Sequence, residues 1–557
     1  MTERLAWLAT LTPDFSRNPE EGIRIYQQAL ASGVSGVADN PDVFVNLAGL
    51  LMHRKPWDAA EATLHAALTL NPQHVMARYN LGCLLHYQNR SSEAAAAFEH
   101  VLSLVPTHVD AMINLANARR DLMQREIAQD WMRKAHRLAP EHHLPVVFGL
   151  FESLYAMGSN DATVHAQAVQ AAAVYCKGWQ EPRSMPLASP WQMGKRALRV
   201  GFVSGDFKAH PVGFFLQSWL GFVDSSRASL HAFSMFESND PVAQKLRTQF
   251  ETWHSIARLT DHEAQRLIAE QKIDILIDLS GYTDMNRLPL FARRAAPVQI
   301  SWLGWYATTG VINIDYFITD PLTSPAWTQA YHSERLLYLP ATRLCMAEPM
   351  YAPAVNPLPA LQNKYLTFGS LQALAKITDA TLRLWQQVLE KIPTAHLVVC
   401  CLQFSDAHKL HIFQERLVTL GLPTDRIKLL PPASYEVYFQ RYHGIDIVLD
   451  TIPFPGGTTT AEALWMGVPT LTLTGSTLIS RQGASLLAAA GLVRWVTQTT
   501  EKYVAEAVYW SEHVAELAQL RSGLRTQVRS SPVFDGEKFA QALTHALETV
   551  LESPVAA

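Results

Sequence analysis

Asn46-Leu47, Asn80-Leu81 and Asn114-Leu115 recur at a spacing of 34 residues, and this repetition constrains the fold of the 557-residue chain more than any other feature. The same spacing relates Ala60, Ala94 and Ala128; Leu70, Leu104 and Leu138; Pro72, Pro106 and Pro140; and His74, His108 and His142. Columns in register over three copies, clear across residues 42–143, mark a repeated supersecondary unit. Leu47-Ala48-Gly49 and Leu81-Gly82-Cys83 begin one helix of each unit. Small alanines let the second helix pack closely, and the proline ends it. A helix pair of this size cannot bury its apolar face alone, so the units must stack.

The pattern resembles the tetratricopeptide repeat, whose paired antiparallel helices build a superhelix. Residues 1–40 and 144–175 read as helical but out of phase, as capping units do, so the helical domain is taken as 1–177. Asn46, Asn80 and Asn114 lie inside a helix, where propensity gains them nothing. Two readings stay open: a ladder of amides gripping an extended peptide, or ties between neighbouring helices. The histidines precede the next helix and read as inter-repeat packing or capping, not as metal ligands. Three repeats leave their ends to be covered, so the array is expected to dock against the domain C-terminal to it.

Composition bounds the rest. At this length two to four domains are expected. Hydrophobic content of 48% and charged content of 17% are those of a globular protein. A formal charge of -4 argues against a partner held by many phosphate contacts, so no nucleic acid is expected. The five cysteines are odd in number and scattered, which suits a reducing compartment better than disulfides or a metal site. No leader pattern and no apolar run of about 18 residues is seen, so a cytoplasmic protein without a membrane partner is expected.

Past a loose stretch from Gly178 to Met193, apolar strands alternate with helical segments. Strands are expected at 198–204, 230–236, 273–279 and 298–303, with helices at 240–250 and 261–271 between them. A Pro-rich connection, Glu348 to Pro359, separates a second series with strands at 365–369, 396–402, 426–430, 446–450 and 470–474. Buried strands alternating with helices indicate largely parallel sheets. The chain is therefore read as α/β, with αβ units at 195–350 and 360–557 after the helical domain. Ligands of such sheets sit beyond the carboxyl ends of the strands.

Several clusters fall at those ends. In Asp450-Thr-Ile-Pro-Phe-Pro-Gly-Gly-Thr-Thr-Thr-Ala-Glu462, a glycine pair precedes a helix whose first turn carries Thr458, Thr459 and Thr460. Glycines permit close approach, and helix-start N–H groups attract anions such as phosphate. A plain βα turn with a threonine cap explains the spacing equally well. Phe368-Gly-Ser-Leu-Gln-Ala-Leu-Ala-Lys376 places a lysine that could neutralise a diphosphate, or simply sit at the surface. Ser204-Gly-Asp-Phe-Lys-Ala-His210 carries a histidine able to position a hydroxyl or act as base, though a lone loop histidine is more often structural. Ser280-Gly-Tyr282-Thr283 is a glycine turn, and Trp302-Leu-Gly304-Trp-Tyr306 offers aromatics that suit either a pocket or a core. No D-x-D pair, H-E-x-x-H or P-loop is present.

Together these residues resemble the O-linked N-acetylglucosamine transferase family, including its bacterial members and the plant SPINDLY-type proteins. The likeness rests on Asp206-Phe207 with His210-Pro211, Gly281-Tyr-Thr283, Ala296-Pro-Val-Gln299, Trp302-Leu-Gly304 and Asp315-Tyr316. In the second half it rests on Leu374-Ala-Lys376-Ile377, Leu449-Asp450-Thr451, Thr458-Thr459, Leu464-Trp465 with Gly467-Val-Pro469, and Ser480-Arg481. It implies a tetratricopeptide superhelix followed by a GT-B glycosyltransferase of two Rossmann-like units. The implied activity is inverting, metal-independent transfer of N-acetylglucosamine from UDP-GlcNAc to Ser or Thr hydroxyls of proteins. The implied partners are the nucleotide sugar and protein or peptide acceptors bound by the repeats, with no cofactor.

On that resemblance Lys376 meets the diphosphate, Gly457, Thr458 and Thr459 bind phosphate oxygens, and Gln372 lines the same site. Glu462 holds ribose hydroxyls and Tyr438 packs on the base. His210 matches the family's active-site histidine, with a donor phosphate oxygen as the competing base. Tyr282, Thr283, Gly304 and Tyr306 line the acceptor side. The chain departs from the animal enzymes in having Gly457 where they carry histidine, Asp274 where a second family histidine falls, and Ala373 in place of a glutamine. Gly457-Thr-Thr-Thr460 is closer to the SPINDLY-type pattern, which resembles fucosyltransferases using GDP-fucose. An inactive repeat scaffold is the third possibility.

Overall fold

The computed structural model describes residues 18–31, 36–54, 56–179 and 191–552. Most of the Pro-bearing stretch read between Gly178 and Met193, and the first part of the leading cap, lie outside these residues. Two compact units emerge: Met1–Pro145 with Asp406–Ile412, and Val146–Ser405 with Phe413–Ala557.

The first unit is a run of antiparallel helix pairs. The second helices, Trp57–Leu70, Ser91–Leu104 and Arg125–Leu138, each stop two residues before the repeated proline. Ala60, Ala94 and Ala128 are fully buried, as the close-packing reading requires. A Cβ at Gly82 would lie 2.6 Å from the Phe98 ring, so this helix pair touches through glycine. The repeated histidines are N-caps: Nδ1 of His74 accepts from the Ala77 amide (3.2 Å) and that of His108 from the Ala111 amide (3.3 Å). Nε2 of His74 reaches Asp42 one unit back (3.0 Å), and His142 reaches Asp110 (3.5 Å). Where Met76 replaces that aspartate, His108 stacks on Tyr79 instead, with centroids 5.1 Å apart.

The second unit holds two all-parallel sheets. The first contains β1 (Leu198–Ser204), β2 (Ala228–Ser234), β3 (Thr252–Ser255), β4 (Ile275–Asp278), β5 (Val298–Ser301), β6 (Tyr316–Thr319) and β7 (Arg335–Tyr338), in the order β3-β2-β1-β4-β5-β6-β7. The second contains β8 (Thr367–Ser370), β9 (His396–Cys400), β10 (Ile427–Leu430), β11 (Ile447–Leu449), β12 (Thr470–Leu473) and β13 (Val496–Thr497), in the order β10-β9-β8-β11-β12-β13. Strand order reverses between β1 and β4 in one sheet and between β8 and β11 in the other. Crevices at such reversals are where ligands of these folds bind.

Two segments pack differently from the expected grouping. Helices His143–Tyr155 and Asp161–Tyr175, read as the trailing cap of the repeats, contribute Leu150, Leu154, Val164 and Ala168 to a core shared with Phe291, Ile314 and Ile479. Their apolar faces are long enough to serve the sheets, so they are not merely a repeat end. The last helix, Gly536–Glu552, returns to the first sheet's half. Phe539 stacks on Trp302 (6.1 Å), Glu548 pairs with Arg227, and a Cβ at Gly536 would meet the Ser218 carbonyl at 1.9 Å. The expected unit 360–557 thus gives its final helix to its neighbour. Among the described residues no helix is long and apolar enough to cross a membrane.

Candidate active site

Each sheet ends its reversal strand in a buried aspartate that ties down the turn beyond. Asp278 accepts from the Gly281 amide (2.9 Å) and the Ser301 hydroxyl (3.1 Å). Asp450 accepts from the Gly456 amide (2.8 Å) and the Thr472 hydroxyl (2.8 Å). Burial raises both carboxyls to about 6. Four residues earlier, Asp274 and Asp446 anchor the strand starts. Asp274 pairs with Arg196 (2.7 and 2.8 Å), and Asp446 accepts the Ala360 and Thr367 amides (2.9 and 2.7 Å). Asp274 is therefore a structural anchor here.

On the first sheet, β1 leads through Asp206 to His210, which caps the helix Pro211–Gln217. Nδ1 accepts the Val212 amide proton (3.3 Å), so the neutral ring carries its proton on Nε2. Burial lowers the pKa of His210, opposed by Asp206 beside it and reinforced by Lys208. A Cβ at Gly213 would sit 2.1 Å from the Lys208 carbonyl, so this glycine holds helix and loop together.

The residues read as the acceptor side divide. Tyr282 is buried, donates its hydroxyl to the Thr309 carbonyl (2.7 Å) and lies edge-on to Trp305. Thr283 donates to the Ser280 carbonyl (2.7 Å). A Cβ at Gly304 would lie 2.0 Å from the Leu279 carbonyl, so this glycine serves close packing of the strand ends. Of the four, Tyr306 alone meets the second half, edge-on to Phe454 at 5.1 Å.

On the second sheet the expected donor residues form one connected patch. Gln372, just past β8, donates to the Thr459 hydroxyl (2.8 Å). Lys376 donates to the Pro455 carbonyl (3.1 Å) and stands 4.4 Å over the Phe454 ring. Burial lowers its pKa to about 8, against the pull of Asp450. Gly457 starts the helix Thr458–Trp465 with no side-chain cap, leaving that task to whatever approaches the turn. A Cβ at Gly456 would fall 2.6 Å from both the Thr459 hydroxyl and the Gln372 amide nitrogen. Lys376, Gln372 and the threonine-bearing helix start are thus on one side of the molecule.

Tyr438 and Glu462 are brought together directly: the phenol donates to the carboxylate (2.7 Å) and contacts the Tyr442 hydroxyl (3.2 Å). Burial raises Glu462 to about 7 although this hydrogen bond opposes the rise. Across the crevice, Phe214, one turn after His210, meets Tyr435 of the helix carrying Tyr438 (6.3 Å, edge-on).

Some participants were given no role from the sequence. Phe454 is where Lys376, Tyr306 and Tyr155 converge. Arg481 joins Asp161 (2.8 Å) to the Thr323 carbonyl (2.8 Å), and Gln482 joins Arg343 to the Gly456 carbonyl (3.1 and 3.3 Å). The spacing Asp274/Asp278 and Asp446/Asp450 was the one available signal for the anchors; Arg343 sits in no motif. Among the described residues no three His, Cys, Asp or Glu side chains cluster as metal ligands.

In the helical unit, Asn114 donates to the Tyr79 hydroxyl of the preceding repeat (2.9 Å), and Asn46 lies beside the Tyr26 phenol of the preceding helix, opposing the rise that burial gives its pKa. These two act as ties between helices. Asn80 is half-buried and has no such partner among the described residues, because Val45 and Gly49 stand where its neighbours carry hydroxyl or thiol.

Comparison with known proteins bears on the family and the fold. The model of glycosyl transferase family 41 matches residues 143–350 and 358–543, and a tetratricopeptide repeat model matches 57–107. The probable UDP-N-acetylglucosamine–peptide N-acetylglucosaminyltransferase SPINDLY of Petunia hybrida is 36% identical over 374 residues, 66% of this chain and 40% of its own length. The UDP-N-acetylglucosamine–peptide N-acetylglucosaminyltransferase of Caenorhabditis elegans is 25% identical over 65% of this chain and 41% of its own length. The chain thus spans about two fifths of the length of the curated relatives it matches. A solved structure of a mutant O-GlcNAc transferase from Thermobaculum terrenum superposes with a TM-score of 0.85 at 29% identity, covering 92% of this chain and 97% of that one. With a family model spanning most of its length, repeats before it and both sheets matched, the chain belongs to glycosyl transferase family 41.

Proposed function

We propose that the chain is a protein O-glycosyltransferase that moves N-acetylglucosamine from UDP-GlcNAc to Ser or Thr hydroxyls, with inversion and without a metal. One observation carries the reading: Lys376, Gln372 and the Gly456–Thr459 turn converge at the reversal of the second sheet, with His210 at the reversal of the first. The acceptor oxygen attacks the anomeric carbon as the bond to the diphosphate oxygen breaks on the opposite face. Negative charge grows on the leaving diphosphate, where the Lys376 ammonium, the first-turn amides and the threonine hydroxyls meet it. His210, with Nδ1 engaged by a backbone amide, offers an Nε2–H that orients the acceptor oxygen. The acceptor proton then passes to a phosphate oxygen of the donor. Names of relatives support the donor, and Asn80 is the repeat amide left to hold a peptide.

The Gly457-Thr-Thr-Thr460 turn favours a second reading, fucose transfer from GDP-fucose. Thermal shift with UDP and with GDP separates the two, since a ligand at a hundred times its Kd stabilises by about 2.7 kcal/mol. A shift with neither nucleotide supports the inactive scaffold. Lys376→Ala is expected to lower transfer by at least about a hundredfold with the fold intact, and an active, folded variant removes lysine from this role. Chelation with EDTA is expected to leave the rate unchanged.

A further inference from the structure

Arg343 is a charged side chain in the interior of the catalytic unit whose guanidinium has no acid partner among the described residues, although the buried Asp320 carboxylate accepts its backbone amide (3.0 Å). It is 1% exposed, and among the described residues no carboxylate lies within ion-pair distance of its guanidinium. Nη1 reaches the Trp305 carbonyl at 3.4 Å, Nη2 donates to Gln482 Oε1 at 3.1 Å, and Nε has no partner. Burying a cation this way is costly unless an anion shares the site. The arginine stands in the first half and its strongest contact in the second. Gln482 passes that contact on: its Nε2 donates to the Gly456 carbonyl (3.3 Å) and would be 2.9 Å from a Cβ at Gly457. The unpaired guanidinium thus sits behind the very turn assigned to the donor phosphates.

Resting on the proposed function, we propose that Arg343 is a positioning residue that acts through Gln482, setting the Gly456–Gly457 turn and lending it positive potential for a nucleoside diphosphate. The field of a guanidinium fixed in a water-poor interior reaches further than that of a surface lysine. Burial lowers its pKa to about 10, which leaves it charged at neutral pH. Asp320 and Tyr306 are the groups that oppose this lowering.

Calorimetry of the full chain with UDP, GDP and the nucleosides uridine and guanosine tests this. Arg343→Met is expected to weaken the preferred diphosphate about tenfold, while affinity for its nucleoside stays within about twofold. Arg343→Lys should recover most of the loss. Gln482→Glu gives the guanidinium a counter-ion, so diphosphate affinity should fall even if the melting temperature rises. Equal loss of diphosphate and nucleoside affinity, or full diphosphate affinity in Gln482→Glu, overturns the proposal. If Arg343→Met does not fold, the Lys and Glu variants decide it. Wild-type chain that binds neither diphosphate refutes the proposed function itself, a result distinct from either.

Discussion

The Lys376 ammonium is charged at pH 7, but burial brings its pKa to about 8, so in the unliganded protein it is half neutral near that pH. A diphosphate needs the charged form. We predict that kcat/KM for the nucleotide sugar falls as pH rises through 8. Lys376→Arg, which stays charged, should flatten that limb even if its maximum rate is lower. A pH profile unchanged in the arginine variant would assign the limb to another group. Glu462 makes a second prediction. Its carboxyl is about 7 when folded against an ordinary 4.5, so its contribution to stability is complete below 4.5 and lost as pH climbs through 7. Glu462→Gln lacks this loss. Its stability relative to the natural chain should therefore rise by of order 1–3 kcal/mol between pH 4.5 and 8, read from melting curves, while affinity for UDP declines. A constant difference across that range would mean the Tyr438 hydrogen bond already compensates the burial.

At the level of elements, most of the strands that were legible are buried on both faces. β1, β4, β5, β8, β9, β11 and β12 read as largely apolar runs, because helices cover both sides of a parallel sheet, whereas the edge strand β10 was legible from Ile427, Leu429 and Leu430 alone. Four strands were missed: β3 and β7 are half-buried edge strands without such a run, β13 is only two residues long, and β6 (Tyr316–Thr319) is fully buried but too short to stand out. The donor patch was legible for a different reason, namely that strand ends at a reversal must carry the ligand contacts. Packing defeated the other assignments. A sequence shows that Tyr282 has a hydroxyl but not that the Thr309 carbonyl will take it, nor that Gly304 exists to let the Leu279 carbonyl pass. The glycine reading gives its own prediction. Gly304→Ala must push β4's end and the helix Pro211–Gln217 apart, at about 2 kcal/mol or more. Urea unfolding that shows less than about 0.5 kcal/mol would return Gly304 to the pocket.

For the whole molecule, the question is where the catalytic unit begins. The sequence places the end of the helical domain at 177, since residues 144–175 look like a repeat cap. In the structure Asp161 accepts from the Leu478 amide (3.0 Å) and pairs with Arg481, both buried. A Cβ at Gly310 would lie 2.4 Å from the Ala168 carbonyl, and Tyr155 stacks on Phe454 at 4.9 Å. These two helices therefore touch both αβ halves, and removing them would expose a core face and leave Arg481 without its carboxylate. That loss is of the kind that costs about 3–5 kcal/mol, on the order of a domain's whole margin. A chain starting at residue 141 should fold, melt near the full-length protein and still shift with nucleotide, whereas one starting at 177 should aggregate or melt without cooperativity. The same pair of truncations separates two roles for the repeats. If they gather the acceptor, the chain from 141 keeps donor hydrolysis within about twofold and loses at least about tenfold in transfer to a protein, each tenfold being about 1.4 kcal/mol of acceptor contact. Equal losses on both reactions would make the repeats a folding support, and a well-folded chain from 177 would return both helices to the repeat array.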